Sequence, residues 1–260
     1  MSHSPSLSDL LAVAMDAAYA GGRRTLGYFN TNVEVETKSD NTPVTRADRE
    51  AEAEIRRIIA RHYPSHAVLG EETGGTPGDA GYRWIIDPID GTKTFIHGVP
   101  FYGVLIAVEV AGQPAVGVVY LPALDEMVAA ASGLGCGWNG RPARVSTVDR
   151  LEDATLLTTN VTRSQARSDA YDRLVAKTKL HRTWGDCYGY VLVATGRAEI
   201  MLDAAMNPWD CAPLLPILTE AGGHFSAWSG EVTIYGPDAV GTNAALHAEV
   251  LSILKTEKRR

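Results

Sequence analysis

Cysteine is scarce in this chain: three residues among 260, Cys136, Cys187 and Cys211, widely spaced and without a Cys-x-x-Cys pair. An odd count at such spacing excludes a disulfide framework and suits reduced thiols in a cytosol. Long apolar runs are missing, so no segment is long enough to cross a bilayer. The N-terminus has no basic stretch leading into an apolar core, and the expectation is a cytoplasmic protein with no membrane partner. No Lys/Arg stripe alternates with aromatics, and the formal net charge of -7 argues against nucleic acid. Internal repeats, low-complexity tracts, dinucleotide fingerprints and P-loops are all absent. What is present is an ordinary globular composition, 45% hydrophobic and 21% charged, in a length that suits one large domain or two packed halves.

Hydrophobic spacing gives the coarse order of elements. Leu10, Leu11, Val13, Ala14, Ala17 and Ala18 fall on one face of a helix capped near Ser8 and running to about Tyr28. Val33–Thr37 alternates like a strand and Arg49–Arg61 reads as a second helix. Val68 leads a short strand into Glu71 and Glu72, and a glycine-rich loop from Gly74 to Gly81 follows. Val104–Val110 and Ala115–Tyr120 form an antiparallel pair, with Met127–Ala131 as a further strand and a turn-rich Gly133–Gly140. Residues near Ser146 to Leu151 read as a junction. Beyond it, strands at Thr155–Thr159, Ala198–Leu202 and Gly223–Ser226 alternate with helices at Arg167–Lys179, Cys187–Thr195 and Cys211–Ala221, an α/β order. The chain thus divides into an α+β half at 1–147 and an α/β half at 148–260.

Chemistry concentrates in Asp87-Pro88-Ile89-Asp90-Gly91-Thr92, which follows the apolar run Tyr82–Ile86. Pro88 keeps Asp87 extended, so both aspartates sit at the mouth of one strand. Two carboxylates so close repel unless something cationic neutralises them, and a hard divalent cation takes oxygen ligands. Gly91 lets the backbone approach a ligand, and Thr92 opens a helix whose free N–H groups face an anion. Metal ligands therefore lie beside a phosphate cradle, the elements of a phosphatase.

Each acidic residue also has a plainer reading. Glu71 and Glu72 read as a charged loop in isolation; the second acidic motif after one loop makes Glu71 the preferred ligand, with Glu72 beside it. Asp87 and Asp90 suit turn and N-cap positions, but a cap needs only one carboxylate. Asp210 is by itself a good N-cap for the helix that starts at Cys211. Asp48, in Thr45-Arg46-Ala47-Asp48, either opens a helix or accepts a hydrogen bond from Thr92 and helps a water lose its proton. His62 and His66 stand four apart without further zinc ligands, and a surface role at a helix end is expected.

Together, Glu71, Asp87-Pro88-Ile89-Asp90-Gly91-Thr92 and Trp209-Asp210, in that order, resemble the signature of the inositol monophosphatase superfamily of Mg²⁺-dependent, lithium-sensitive phosphatases. The similarity extends through Gly70-Glu71-Glu72, Thr94–Gly98, Ala194-Thr195-Gly196 and Glu220-Ala221-Gly222-Gly223, nearly the whole chain. The resemblance implies a layered sandwich with alternating α-β-α-β-α layers, usually a homodimer. It implies Glu71, Asp87, the Ile89 carbonyl, Asp90 and Asp210 as ligands of two or three Mg²⁺ ions, with Mn²⁺ as a substitute. It further implies Asp48 and Thr92 near the nucleophilic water, Gly91 and Thr92 as phosphate binders, and Lys38, in Thr37-Lys38-Ser39-Asp40, close to the site.

The chain departs from the inositol type at Trp184-Gly185-Asp186-Cys187-Tyr188, which resembles the histidinol-phosphate phosphatase branch. Asp186 adds a carboxylate that favours a cationic substrate head; it reads equally as the N-cap of the following helix. Asp203 stands where the family contacts the substrate hydroxyl or amine, or else is an exposed strand-end residue. The expected activity is hydrolysis of L-histidinol phosphate, a small phosphate ester, without a covalent phosphoenzyme. The alternatives are an inositol-1-phosphate or broad sugar-phosphate phosphatase and, outside enzymes, a structural divalent-metal-binding protein.

Overall fold

A computed structural model describes residues 4–39 and 41–255; Asp40 of the Lys38 segment and the extreme ends of the two halves lie outside the described residues. The first part contains α1 (Leu7–Leu26), β1 (Val35–Thr37), β2 (Pro43–Thr45), α2 (Arg46–His62), β3 (His66–Gly70), β4 (Gly74–Thr76), β5 (Asp79–Asp90) and α3 (Thr92–Ile96). A meander follows: β6 (Gly103–Val110), β7 (Gln113–Leu121), β8 (Glu126–Ala131), β9 (Gly135–Trp138) and β10 (Arg141–Pro142). The rest comprises β11 (Thr155–Leu157), α4 (Val161–Arg167), α5 (Ala170–Val175), β12 (Leu180–Arg182), α6 (Asp186–Ala194), β13 (Ile200–Asp203), α7 (Pro208–Glu220), β14 (His224–Ser226), β15 (Ala239–Thr242) and α8 (His247–Lys255).

These elements stack in five layers. The eight-stranded sheet has the order β10-β9-β8-β7-β6-β5-β3-β4 and is antiparallel except where β3 runs parallel to β5. One of its faces buries Trp84, Ile86, Val104 and Ile106 against Leu10, Ala14 and Ala17 of α1 and Ile55 of α2. The other face presents Ile85, Leu105, Ala107 and Val119 to α6 and α7, through Val191, Leu214 and Ile217. The five-stranded sheet, order β12-β11-β13-β15-β14, covers the far side of α6 and α7. Its other face is closed by Leu174 of α5 and Val250 and Leu254 of α8. Alternation along β5 explains the sorting: Trp84 and Ile86 point one way, Ile85 the other. Both faces are apolar because both are covered.

Several boundaries differ from the sequence reading. Helix α1 starts two residues earlier, with Ser6 as N-cap in a capping box with Asp9, and ends at Leu26. The Gly74–Gly81 stretch is not all loop, since β4 pairs with β3 and β5 begins within it. The helix expected over Arg167–Lys179 shortens to α5, Ala170–Val175, and the extended Ser168 separates it from α4, which ends at Arg167. The final strand and helix, β15 and α8, carry no strong periodic signal beyond a few residues. Cys136, Cys187 and Cys211 are all free and buried.

Candidate active site

The geometry starts at the end of β5. Asp87 pairs opposite Leu105 and Asp90 opposite Gly103, so three steps on β5 match two on β6. Without that bulge, two residues three apart would point to opposite faces. The extra residue falls at Pro88 and Ile89, where proline has no N–H to lose from the ladder, and it brings both acids to one side. The Ile89 N–H donates to Asp87 Oδ1 at 3.0 Å and fixes the first carboxylate. Gly91 then turns with φ 81° as the N-cap of α3. A β-carbon there would be strained and would lie 2.7 Å from Asp186 Oδ2, so glycine is required twice.

Asp210 arrives from the other end of the chain. It is not the N-cap of α7: Asn207 holds that place, Pro208 opens the helix, and Asp210 accepts from the Asn207 N–H at 2.8 Å. Asp87, Asp90 and Asp210 place carboxylate oxygens within 4.8 Å of one another. At an effective dielectric of about 20, each like-charged pair at such a distance costs roughly 3–4 kcal/mol. Burial first, then the charge of Glu71 on Asp87 and of Asp186 on Asp90, with the other triad members after them, pushes both well above the usual carboxylate range. Asp210 is raised to about 7 by burial and by the charge of Glu71. Three half-buried or buried hard oxygen donors with no ion-pair partner among the described residues fit a divalent cation such as Mg²⁺.

Glu71 borders this triad rather than belonging to it. Its Oε1 accepts from Lys38 Nζ at 2.9 Å, and Lys38 also donates to Glu72 Oε1 at 2.7 Å. Burial lowers the Lys38 ammonium's proton affinity, but the two carboxylates outweigh it and the net shift is upward. Glu72 is raised to about 7, chiefly by burial. The Ile89 carbonyl accepts from Thr92 Oγ1 at 3.1 Å. Thr92 therefore gives its proton to Ile89 and not to Asp48, as the sequence had suggested, because the tight turn at Gly91 folds its hydroxyl back on the bulge.

Asp48 is fully buried on α2, where its Oδ2 closes a capping box with Thr45, accepting from the Thr45 N–H at 2.8 Å. Its Oδ1 is buried without a hydrogen-bond partner. The helix-opening reading therefore holds for Oδ2, while Oδ1 is not used by the helix. One turn on, the fully buried Glu52 accepts from the N–H groups of Glu72 (2.8 Å) and Thr73 (3.2 Å), from Thr73 Oγ1, and from Arg56 Nε at 2.7 Å. This carboxylate shapes the Glu71–Thr73 turn, and sequence reasoning missed it. Its spacing of four from Asp48 puts it on the same helix face and says nothing of the turn it caps.

Two cavities meet over the aspartates. One, about 370 Å³, is bordered by Glu71, Asp87, Asp90, Thr92, Phe101 and Trp209. The other, about 180 Å³, is lined by Asp90, Thr159, Asp186, Tyr190, Asp203 and Asp210 among others. Asp186 is not the N-cap of α6, which is Gly185; it is the first helical residue, at φ 51°. Its Oδ2 accepts from Thr94 Oγ1 at 2.7 Å. Asp203 ends β13 but is 5% exposed, so the exposed strand-end reading is overturned by the sheet and helices that cover it. Burial lifts it to about 6. Thr159, also missed, orients both: its N–H donates to Asp203 Oδ1 at 3.0 Å and its Oγ1 accepts from the Asp186 N–H at 2.8 Å.

His62 is exposed, but His66 is not a surface residue. It lies 8% exposed, accepts from Trp84 Nε1 at 3.1 Å and stacks between Tyr63 and Tyr82. Strand β3 carries it inward.

The family model described as the inositol monophosphatase family matches residues 6–259. A histidinol-phosphatase of Chlorobaculum parvum is 42% identical, the alignment covering 96% of this chain and 98% of that protein. An inositol-1-monophosphatase of Synechocystis is 34% identical over 96% of this chain and 91% of its own length. Among solved structures, the extragenic suppressor protein suhB of Bartonella henselae superposes with a TM-score of 0.89 at 29% identity, covering 95% of this chain and 98% of that one.

Proposed function

The chain belongs to the inositol monophosphatase family of Mg²⁺-dependent phosphatases, and from that premise we propose that its substrate is L-histidinol phosphate. The observation that carries this reading is the chamber beside the aspartate triad, where Asp186 and Asp203 add two carboxylates to those of Asp90 and Asp210 against one cation, Arg163. Buried anions of that kind favour an ammonium-bearing alcohol over a neutral polyol. The relative named a histidinol-phosphatase, at 42% identity, supports the same choice.

Asp87, Asp90 and Asp210, joined by Glu71 and the Ile89 carbonyl, would hold the metal, as two or three Mg²⁺ ions with Mn²⁺ as a substitute. Bound there, the cation neutralises phosphate charge and makes a water more acidic. The chain's own residues supply the rest. Gly91 and Thr92 direct backbone N–H groups at phosphate oxygens. Asp48 Oδ1, buried and unpartnered, takes the proton of the attacking water. Lys38 keeps Glu71 in place beside the triad. Water attacks phosphorus, the P–O bond to the alcohol breaks, the alcohol takes a proton from solvent and Asp48 returns its own to solvent; no phosphoenzyme forms. The two halves, 1–147 and 148–260, would each contribute ligands, Asp210 coming from the second. A cytoplasmic homodimer without nucleic-acid partners completes the reading, supported by the three unbridged cysteines and the formal net charge of -7.

The test is a phosphate-release panel of L-histidinol phosphate, inositol 1-phosphate and glycerol 2-phosphate, with Mg²⁺ and with chelator. At least a tenfold higher kcat/KM on histidinol phosphate, abolished by chelation, is expected, about what one charge-assisted contact confers. Equal or better turnover of inositol 1-phosphate overturns the substrate assignment. That outcome would favour the second reading, an inositol or sugar-phosphate phosphatase, to which the 34% identical inositol-1-monophosphatase points.

A further inference from the structure

Tyr190 is buried at 1% exposure, with its hydroxyl beside the Asp203 carboxylate and no other hydrogen-bond partner among the described residues. Buried polar groups are almost always paired, and a core position that needed only bulk would be served by phenylalanine. The residue stands one helical turn after Asp186 on α6, so the two side chains share a face. It lines the same chamber as Asp186 and Asp203. Its ring is wedged against β15, where a β-carbon on Gly241 would come within 3.0 Å of Cδ1. The ring therefore cannot swing away, and the hydroxyl is held at the chamber wall.

An ammonium group brings three N–H donors. Asp186 and Asp203 are the charged acceptors of the chamber outside the aspartate triad, and Tyr190 offers an uncharged one beside them. We propose that Tyr190 Oη accepts an N–H of the substrate's amine, with its own proton turned toward the Asp203 carboxylate, and so selects amino-alcohol phosphates; this rests on the histidinol-phosphate reading. Burial, followed by the charge of Asp203, pushes the phenol well above its usual range, so the oxygen stays protonated and neutral. A neutral acceptor adds recognition without a further charge next to three aspartates.

The experiment compares wild type with Tyr190→Phe on L-histidinol phosphate and on its deamino analogue, 3-(imidazol-4-yl)propyl phosphate. The expected result is a loss in kcat/KM of about tenfold on histidinol phosphate, carried mainly by KM, and less than about twofold on the analogue. A wild-type preference for the amine that Tyr190→Phe leaves intact, or an equal loss on both substrates, overturns the role of Tyr190 alone. A wild type that does not distinguish the two esters overturns the substrate reading and this proposal with it. Should the variant fail to fold, a crystal structure of wild type with L-histidinol decides: an amine nitrogen within hydrogen-bond reach of Oη supports the contact, and one beyond about 4 Å refutes it.

Discussion

Asp90 Oδ2 accepts a hydrogen bond from the backbone N–H of Cys187, 97 residues further along the chain. The second aspartate of the β5 bulge thereby serves as the acceptor for the start of α6, whose own N-cap, Gly185, has no side chain to offer. One oxygen of Asp90 ties the eight-stranded sheet to the helix that carries Asp186 and Tyr190. Together with the Thr94–Asp186 hydrogen bond, it holds the aspartate triad in register with the neighbouring chamber.

Asp90→Asn separates those two duties. The amide keeps an oxygen for the Cys187 N–H but loses the charge that a cation needs. Phosphate release should fall by on the order of a hundredfold or more, while the thermal midpoint stays close to wild type. Near-normal Mg²⁺-dependent turnover would remove Asp90 from the ligand set.

At Asp186 the backbone decides which substitution is informative. Its φ of 51° is tolerated by asparagine and costly for alanine. Asp186→Asn keeps that conformation and an acceptor for Thr94 while deleting the charge. The ratio of kcat/KM for histidinol phosphate over inositol 1-phosphate should drop about tenfold. An unchanged ratio would make Asp186 a purely structural residue.

The turn that carries Glu71 has no room to spare. A β-carbon on Gly70 would lie 2.5 Å from Glu52 Cδ and 2.7 Å from Arg56 Nη2. Gly70→Ala should cost about 1–3 kcal/mol by overpacking, and should weaken Mg²⁺ binding, as Glu52 is pushed off the Glu72 and Thr73 amides. Calorimetric Mg²⁺ titration and a melting curve measure both; an unaltered affinity would mean the turn does not depend on Glu52.

His224 and His247 stack with centroids 4.3 Å apart on the outer edge of the five-stranded sheet. Burial, then the charges of His224 and Lys255, hold His247 below its ordinary value of 6.5. The folded chain binds this proton less tightly than the unfolded chain. Its contribution is therefore fully present above the ordinary value and lost as pH falls through the lowered one. Melting temperature should decline as pH falls below about 6.5, and His247→Gln should flatten part of that slope. An identical slope in the variant would assign the acid sensitivity to other groups.

Much of the fold was legible because β5 and α2 announce themselves: a five-residue apolar run ending in Asp-Pro, and a helix opened by Thr45 with Asp48 at its third position. The acidic string was readable as a site because Pro88 and Gly91 constrain the backbone in ways few other residues do. What escaped depends on distance in the sequence. Nothing near Glu52 says that it will cap a turn twenty residues on, and nothing near Thr159 says that it will orient two aspartates from other elements. His66 looked like a surface residue because its partners, Tyr82 and Trp84, lie on a neighbouring strand. Alternation within β3 predicts only that one face is buried, not that a histidine will be satisfied there.

The sealed sulfurs of Cys136, Cys187 and Cys211 give the folded chain a built-in chronometer. A thiolate must be exposed to react, so an alkylating reagent will label these positions only as fast as the layers around them open. Cys187 and Cys211 start or flank the two central helices, whereas Cys136 sits on β9 near the sheet's edge. Mass-resolved labelling would therefore report, from one native sample, how much sooner the rim of the large sheet comes apart than the middle of the sandwich.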